Sequence, residues 1–311
     1  MFLKQGFYNY HYSLLPPGET SGNHAFPSRS ADSASDGIAT TAGSMVENTT
    51  MVGSFALKAL QSRGIDPETV ARLNIFTGRA EQDESGETRV VPDESGNVVV
   101  FPFMERGAIV AEKYRAAGKK FWQRRGGRRT FWNSDVLDDP TLEHMPLIIT
   151  EGEIDALTAI DCGFPLTVSV PDGAPAVRDG EDPEQLEDVD PERERDGKFE
   201  FVWNNRDRVK RISRFILAVD NDGPGRRLAA ELKRRLSASR CMFVTYPEGC
   251  KDLNDVLLKH GRDAVVRCLN DAKPYPVKGL YRLSDYPDAG DDACRRKFIV
   301  VHAISCQRRQ F

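Results

Sequence analysis

The sequence is poor in the residues that hold soft metals: five histidines and six cysteines among 311 residues. The cysteines, Cys162, Cys241, Cys250, Cys268, Cys294 and Cys306, stand singly, with no C-x-x-C pair and no histidine at zinc-ligand spacing. That pattern argues against a zinc site and suits a reducing compartment. Long apolar runs are missing too, since no stretch reaches the ~18 residues of a membrane span. The N-terminus MFLKQGFYNYHYSLLPPGE has no continuous apolar core of the kind a secretory signal needs. The chain is expected to be intracellular and to make no use of a membrane.

What is present suffices for a sizeable core. Hydrophobic residues make up 40% of the chain, enough for one large domain or two modest ones. The net charge of −4 argues by itself against a nucleic-acid partner, but the charge is segregated. Lys113 to Arg129 holds eight Lys or Arg and no acid, whereas Arg178 to Lys198 holds ten acids against four bases.

Residues 1–50 read as a disordered leader, because the stretch from residue 18 is rich in Ser, Thr, Gly and Ala and cannot offset its ordering entropy. Residues 51–140 form a first, smaller α+β unit. Two short helices are predicted on either side of Gly64, the second started by Asp66-Pro67-Glu68. VVVFPF and AIVAEKYR make a hairpin that feeds the basic segment. Residues 141–275 alternate strand and helix: PLIIT, EIDALTAID, PLTVSV, FILAV, GRRLAAELKRRL, MFVTY, DLNDVLLKH. That rhythm predicts a Rossmann-like parallel sheet with flanking helices. The acidic run 178–198 interrupts it as an insertion, FEFVWNNRDRVKRI follows as a helix, and residues 276–311 read as a linker that begins a further strand, FIVVHAIS.

Acids collect just past these strands: Glu151 after LIIT, Asp220 and Asp222 after FILAV, Asp252 after FVTYPEGCK. In a parallel sheet the strand ends share one edge, where ligands bind. Like charges so placed call for a cation, and an all-oxygen set favours Mg²⁺ or Mn²⁺. Other readings stand beside this one. Glu151 and Glu153 could simply complement a helix dipole, Asp155 could be a solvated surface acid, and D-N-D-G-P-G could be a bare turn. DNDGPGRRLAAE also fits the spacing of a calcium loop with Glu231 at its end, against which stand Pro224 at a ligand place and the β-like FILAV before it.

E-G-E-I-D-A-L-T-A at 151–159, A-V-D-N-D-G-P-G at 218–225 and K-D-L-N-D at 251–255 together resemble the three signatures of the TOPRIM domain. The nearest resemblance is to phage-type primase-helicases and their Twinkle-like relatives. K-Y-R at 113–115 followed by K-K-F at 119–121 is similar to the K-x-R…K-x-F stretch of the preceding primase subdomain. The resemblance implies Glu151 as metal ligand or general base, Asp220, Asp222 and Asp252 as ligands of Mg²⁺ or Mn²⁺, and Asp155 as a further family acid. It implies Lys113 and Lys119 in catalysis, and Lys113, Arg115, Lys119, Lys120, Arg124 and Arg125 as contacts to nucleotide or nucleic acid. Tyr114, Phe121, Trp122, Phe131 and Trp132 interleave with these cations and could stack bases or belong to the core.

The implied activity is Mg-dependent RNA primer synthesis from ribonucleoside triphosphates on single-stranded DNA, in the cytoplasm of a bacterial or phage-infected cell. The implied partners are the template, the triphosphates and a helicase domain or subunit. The sequence departs from the family in having no cysteine in its first 50 residues, hence no zinc ribbon there, and no G-x-x-x-x-G-K-[ST]. The chain therefore reads as truncated before a helicase, with unwinding by itself not expected. Two further functions stay open: a non-catalytic single-strand-binding domain of a replicative helicase, and a TOPRIM nuclease.

Overall fold

The computed structural model describes residues 52–82, 88–186 and 197–276. The leader, residues 187–196 of the acidic insertion and the tail from 277 lie outside the described residues.

Two sheets organise the chain. The first follows a helical pair, α1 (Ser54–Gln61) and α2 (Pro67–Arg72). Gly64 turns the chain between them at φ 74°, a left-handed conformation that glycine adopts without strain. Asp66 caps α2, its carboxylate accepting from the Glu68 amide at 2.9 Å. Asp66→Ala should therefore cost about 1 kcal/mol in chemical denaturation, and an unchanged midpoint would show the cap to be idle.

Strands β1 (Phe76–Gln82), β2 (Thr88–Pro92), β3 (Val98–Glu105), β4 (Ala108–Ala116) and β5 (Lys120–Gln123) form an antiparallel sheet in the order β2-β1-β3-β4-β5. The β3–β4 hairpin is the one its sequence predicts. β3 sits inside the sheet yet contains Pro102, which is tolerated because β1 pairs with Val98–Val100 and leaves β3 before the proline. Val99, Phe101 and Phe103 point from β3 toward α1 and α2, while Val98 and Val100 meet Tyr114 on the other face.

The second sheet has the order β10-β9-β8-β6-β7, from β6 (Leu147–Thr150), β7 (Thr167–Ser169), β8 (Phe215–Ala218), β9 (Cys241–Phe243) and β10 (Lys273–Pro274). β7, β6, β8 and β9 run parallel and β10 adds an antiparallel edge. LIIT and FILA are buried along their whole length because both faces are covered. Leu147, Ile149, Phe215 and Leu217 face α6 (Gly223–Leu236) together with Phe199 and Phe201. Ile148, Ile216 and Ala218 face α7 (Leu253–His260) and α8 (Arg262–Asn270). The helix expected over FEFVWNNRDRVKRI is two short ones, α4 (Glu200–Asn204) and α5 (Arg206–Lys210).

The crossover helix α3 (Glu153–Asp161) joins β6 to β7 and is buried on two sides. Ala159 packs toward α7 and α8, while Ala156, Leu157 and Ile160 pack against the core of the first sheet beside Trp132. Trp132 and Ser169 also exchange backbone hydrogen bonds, at 3.0 and 3.4 Å, across the two layers. The lysine-bearing strand β4 thus stands in fixed register beside the carboxyl ends of the parallel strands.

Among the described residues no helix is long and apolar enough to cross a membrane. Cys162, Cys241, Cys250 and Cys268 are free thiols, and Cys294 and Cys306 lie outside the described residues.

Candidate functional site

In the parallel sheet the chain leaves β6 toward β7 and leaves β8 toward β9, so a crevice opens between the carboxyl ends of β6 and β8. Glu151 follows β6, and Asp220 lies two residues beyond β8. Asp155 comes from the first turn of α3, and Asp252 caps α7. Carboxylate oxygens of Asp155, Asp220 and Asp252 lie within 4.8 Å of one another. They line a cavity of about 690 Å³ together with Glu151 and Lys113.

The electrostatics are those of crowded, largely buried acids. Burial, then the facing Asp252, push Asp155 well above the usual carboxylate range. Asp220 is raised by burial, against which the Lys251 ammonium at 2.8 Å works. Burial and the nearby Asp220 push Glu151 up to about 7. Glu151 Oε1 accepts from the Ala174 amide at 3.3 Å, while Oε2 is buried with no partner among the described residues. Hard oxygen donors, repulsion that Lys251 offsets only in part and an orphaned buried oxygen all suit a hard divalent cation.

The loops are built for this approach. Gly225 passes so close to the Asp220 carbonyl that a Cβ there would lie 1.9 Å from the oxygen. Asp222 Oδ1 accepts from the Gly225 amide at 2.8 Å and caps α6, while Asp252 Oδ1 accepts from the Asp255 amide at 2.7 Å. The Asn221 amide donates to the Lys251 carbonyl at 2.7 Å, tying the second acidic loop to the third.

Residues 146–246 match the Toprim domain family. The chain is 37% identical over 224 residues to the Twinkle homolog protein, chloroplastic/mitochondrial, of Arabidopsis thaliana, covering 70% of this chain and 30% of that protein. It is 38% identical over 186 residues to the Primase homolog protein of the same plant, covering 58% of this chain and 52% of the relative. Residues 146–246 are a Toprim domain. The chain spans about half or less of the length of these relatives. Its fold is that of a chain in the bacteriophage T7 complex of lagging-strand DNA polymerase with primase domains, at TM-score 0.50 and 21% identity, covering 69% of this chain and 91% of that one. The RNA polymerase domain of Mycobacterium tuberculosis primase shares the fold at TM-score 0.51 and 15% identity, covering 73% and 77%.

Of the metal-ligating acids read in the sequence, Asp220 and Asp252 fall in the close group. Asp155, read either as a solvated surface acid or as a further family acid, is 8% exposed and belongs to the close cluster. Its place in the first turn of α3 points it back toward the strand ends. Asp222 caps α6 outside the close group, and Glu151 lines the cavity beside it. Glu153 is no mere helix-start acid. It is 5% exposed, and its Oε1 accepts from Lys113 Nζ at 2.9 Å across the two sheets. Lys251, the first residue of K-D-L-N-D with no role of its own in that signature, meets Asp220 at 2.8 Å and Asp252 at 3.4 Å as a built-in counter-charge. The calcium-loop spacing is incidental, because Glu231 lies on α6 and pairs with Arg234 at 2.7 Å and with Arg235.

The basic segment is less free than its charge suggests. Lys113 pairs with Glu153, Arg124 with Glu112 at 3.3 Å, Arg128 with Glu105 at 2.8 Å, and Arg129 with Asp172. Lys120 and Arg125 are exposed, and the Lys119 side chain lies outside the described ones. Phe131, Trp132 and Tyr114 are buried in the cores and cannot stack on bases. Phe121 is 51% exposed beneath Arg115, and Trp122 lines the cavity. The described part of the acidic insertion lies along α6, with Glu181 paired to Arg227 and Glu184 to Lys233 at 3.7 Å.

Proposed function

We propose that this domain joins ribonucleotides into short primers on a single-stranded DNA template, using Mg²⁺ or Mn²⁺. The observation that carries the reading is the convergence of Asp155, Asp220 and Asp252 within 4.8 Å in a cavity that also holds Glu151 and Lys113. Asp220, Asp252 and Asp155 would hold the metal, with Asp222 close behind; the ion supplies charge neutralisation for phosphate oxygens.

The chain's own groups do the rest. A 3′-hydroxyl oxygen bonds to the α-phosphorus of a second triphosphate, pyrophosphate leaves, and the hydroxyl proton passes to Glu151. A carboxyl group poised near neutrality suits that acceptance. Lys113, oriented by Glu153, presents an ammonium to the triphosphate from β4. Lys119, Lys120, Arg124 and Arg125 follow it along the template path, and Phe121 offers a face for a base. Free thiols in the described part suit the reducing interior expected of a bacterial or phage-infected cell. A helicase domain or subunit is the partner that would deliver template.

The test is template-directed incorporation of labelled ribonucleotides into dinucleotides by the full chain, with and without Mg²⁺ or Mn²⁺, beside a measurement of single-strand binding. Metal-dependent product is expected. Retained single-strand binding with no product would sink the catalytic reading and leave a binding module of a replicative helicase. Metal-dependent cleavage of the template without synthesis would instead mark a nuclease.

A further inference from the structure

Lys251 is the one cation that the clustered acids hold. Its backbone is pinned on both sides: the Lys251 amide donates to Asp255 Oδ2 at 3.3 Å, and its carbonyl accepts from the Asn221 amide at 2.7 Å. The side chain is bound only through its charge. It is 58% exposed, lines the acid-lined cavity and sets Nζ 2.8 Å from Asp220 Oδ2 and 3.4 Å from Asp252 Oδ2.

The carboxylates it meets are the ones a metal needs. Asp220 and Asp252 are two of the three whose oxygens converge within 4.8 Å. Asp252 Oδ1 already accepts from the Asp255 amide at 2.7 Å, so the oxygen that Lys251 faces is the uncommitted one. The third member, Asp155, is held by the Asn254 amide at 3.0 Å. Among the described residues no other cation comes within ion-pair distance of the three. An ammonium and a divalent ion on the same largely buried carboxylates repel strongly, so each weakens the binding of the other. The pinned backbone keeps Lys251 at the site whichever cation is bound, and its exposed stem lets the ammonium swing toward solvent.

We infer that Lys251 is an internal competitor of the metal, whose ammonium holds Asp220 and Asp252 until a polyphosphate anion draws it away. The inference deepens the priming reading and rests on it for the source of that anion, a nucleoside triphosphate. An ion that binds without the anion displaces the ammonium and gives it no new partner. An ion that binds with it leaves the ammonium beside phosphate oxygens, and by linkage each ligand then raises the affinity of the other by the same factor. The site commits to a metal only when substrate is at hand.

The experiment titrates Mn²⁺ into the full chain at about pH 8, where the carboxylates ionise for the metal, and follows the paramagnetic resonance signal of the free ion. Lys251→Met removes the charge and keeps the stem, and is expected to bind Mn²⁺ about 10–100-fold more tightly than the parent. Lys251→Arg keeps the charge and should show no tightening. With the same inorganic tripolyphosphate added to both proteins, the gap between Lys251→Met and the parent should close or reverse. Equal or weaker binding of Mn²⁺ by Lys251→Met, or binding by neither protein, overturns the competition. A gap that tripolyphosphate leaves unchanged overturns the coupling. Asp220→Asn should lose the ion, and an ion retained there lies elsewhere and overturns the inference. Melting temperature is the folding control, and Lys251→Gln, with the same tightening expected, replaces Lys251→Met if that variant fails to fold. A chain that shows the tightening yet makes no dinucleotide loses the priming reading and keeps the competition. A chain that primes while Lys251→Met binds Mn²⁺ as the parent does loses the competition alone.

Discussion

Asp155→Asn is expected to lower template-directed dinucleotide synthesis by about 10²–10³-fold, while raising the melting temperature of the metal-free protein. The two effects have one cause. Asp155 is 8% exposed and faces Asp252 and Asp220, so its charge opposes folding until a cation arrives. Asparagine keeps the oxygen that accepts from the Asn254 amide at 3.0 Å and removes the charge. A gain on the order of 1 kcal/mol, or about 2–4 °C, is the usual yield when a strained functional group is made neutral. Full activity in the variant would remove Asp155 from the metal set. A lower melting temperature would make its negative charge structural.

The second large effect concerns pH and metal together. Glu151 is raised from 4.5 to about 7, and Asp155 and Asp220 are raised with it. A carboxyl group raised on folding prefers to be protonated in the native state. Its contribution to stability is complete below its unfolded value and is lost as pH climbs through the folded one. For Glu151 that window runs from 4.5 to about 7 and corresponds to about 3 kcal/mol. Without metal, thermal stability should fall across that range. Mg²⁺ should reverse the fall and stabilise more at about pH 8 than at about pH 5, because bound carboxylates must be ionised. At a hundredfold excess over its dissociation constant the ion would contribute about 2.7 kcal/mol. A metal effect equal at both pH values would place the ion away from these acids.

Much of this centre was legible because its scaffold is strongly patterned. LIIT and FILAV are continuous apolar runs, and such runs between turn signals form buried parallel strands whose ends then carry Glu151 and Asp220. The antiparallel sheet was harder to read. β1, FTGRAEQ, is exposed over its last four residues and β2 has no buried position, so neither shows a clear alternation. Asp155 and Glu153 share one difficulty: at 3.6 residues per turn both look like solvated acids, and nothing local reveals that another layer covers α3, so only the family resemblance singles out Asp155. Lys251 and Asn254 act through contacts across long stretches of chain, which one sequence does not display. Of the aromatics that could stack bases or belong to the core, Phe131 and Trp132 sit beside arginines yet turn inward.

The double burial of α3 also bears on how such a domain can be divided or inherited. A fragment cut just ahead of β6 would keep the acids and lose what covers Ala156, Leu157 and Ile160, baring an apolar stripe on the helix that carries Asp155. The reciprocal fragment would keep Lys113 and lose Glu153. Neither piece closes its own core. Gene fusions that reshuffle this Toprim unit are therefore constrained to carry the small antiparallel layer along with it, whatever is joined at either end.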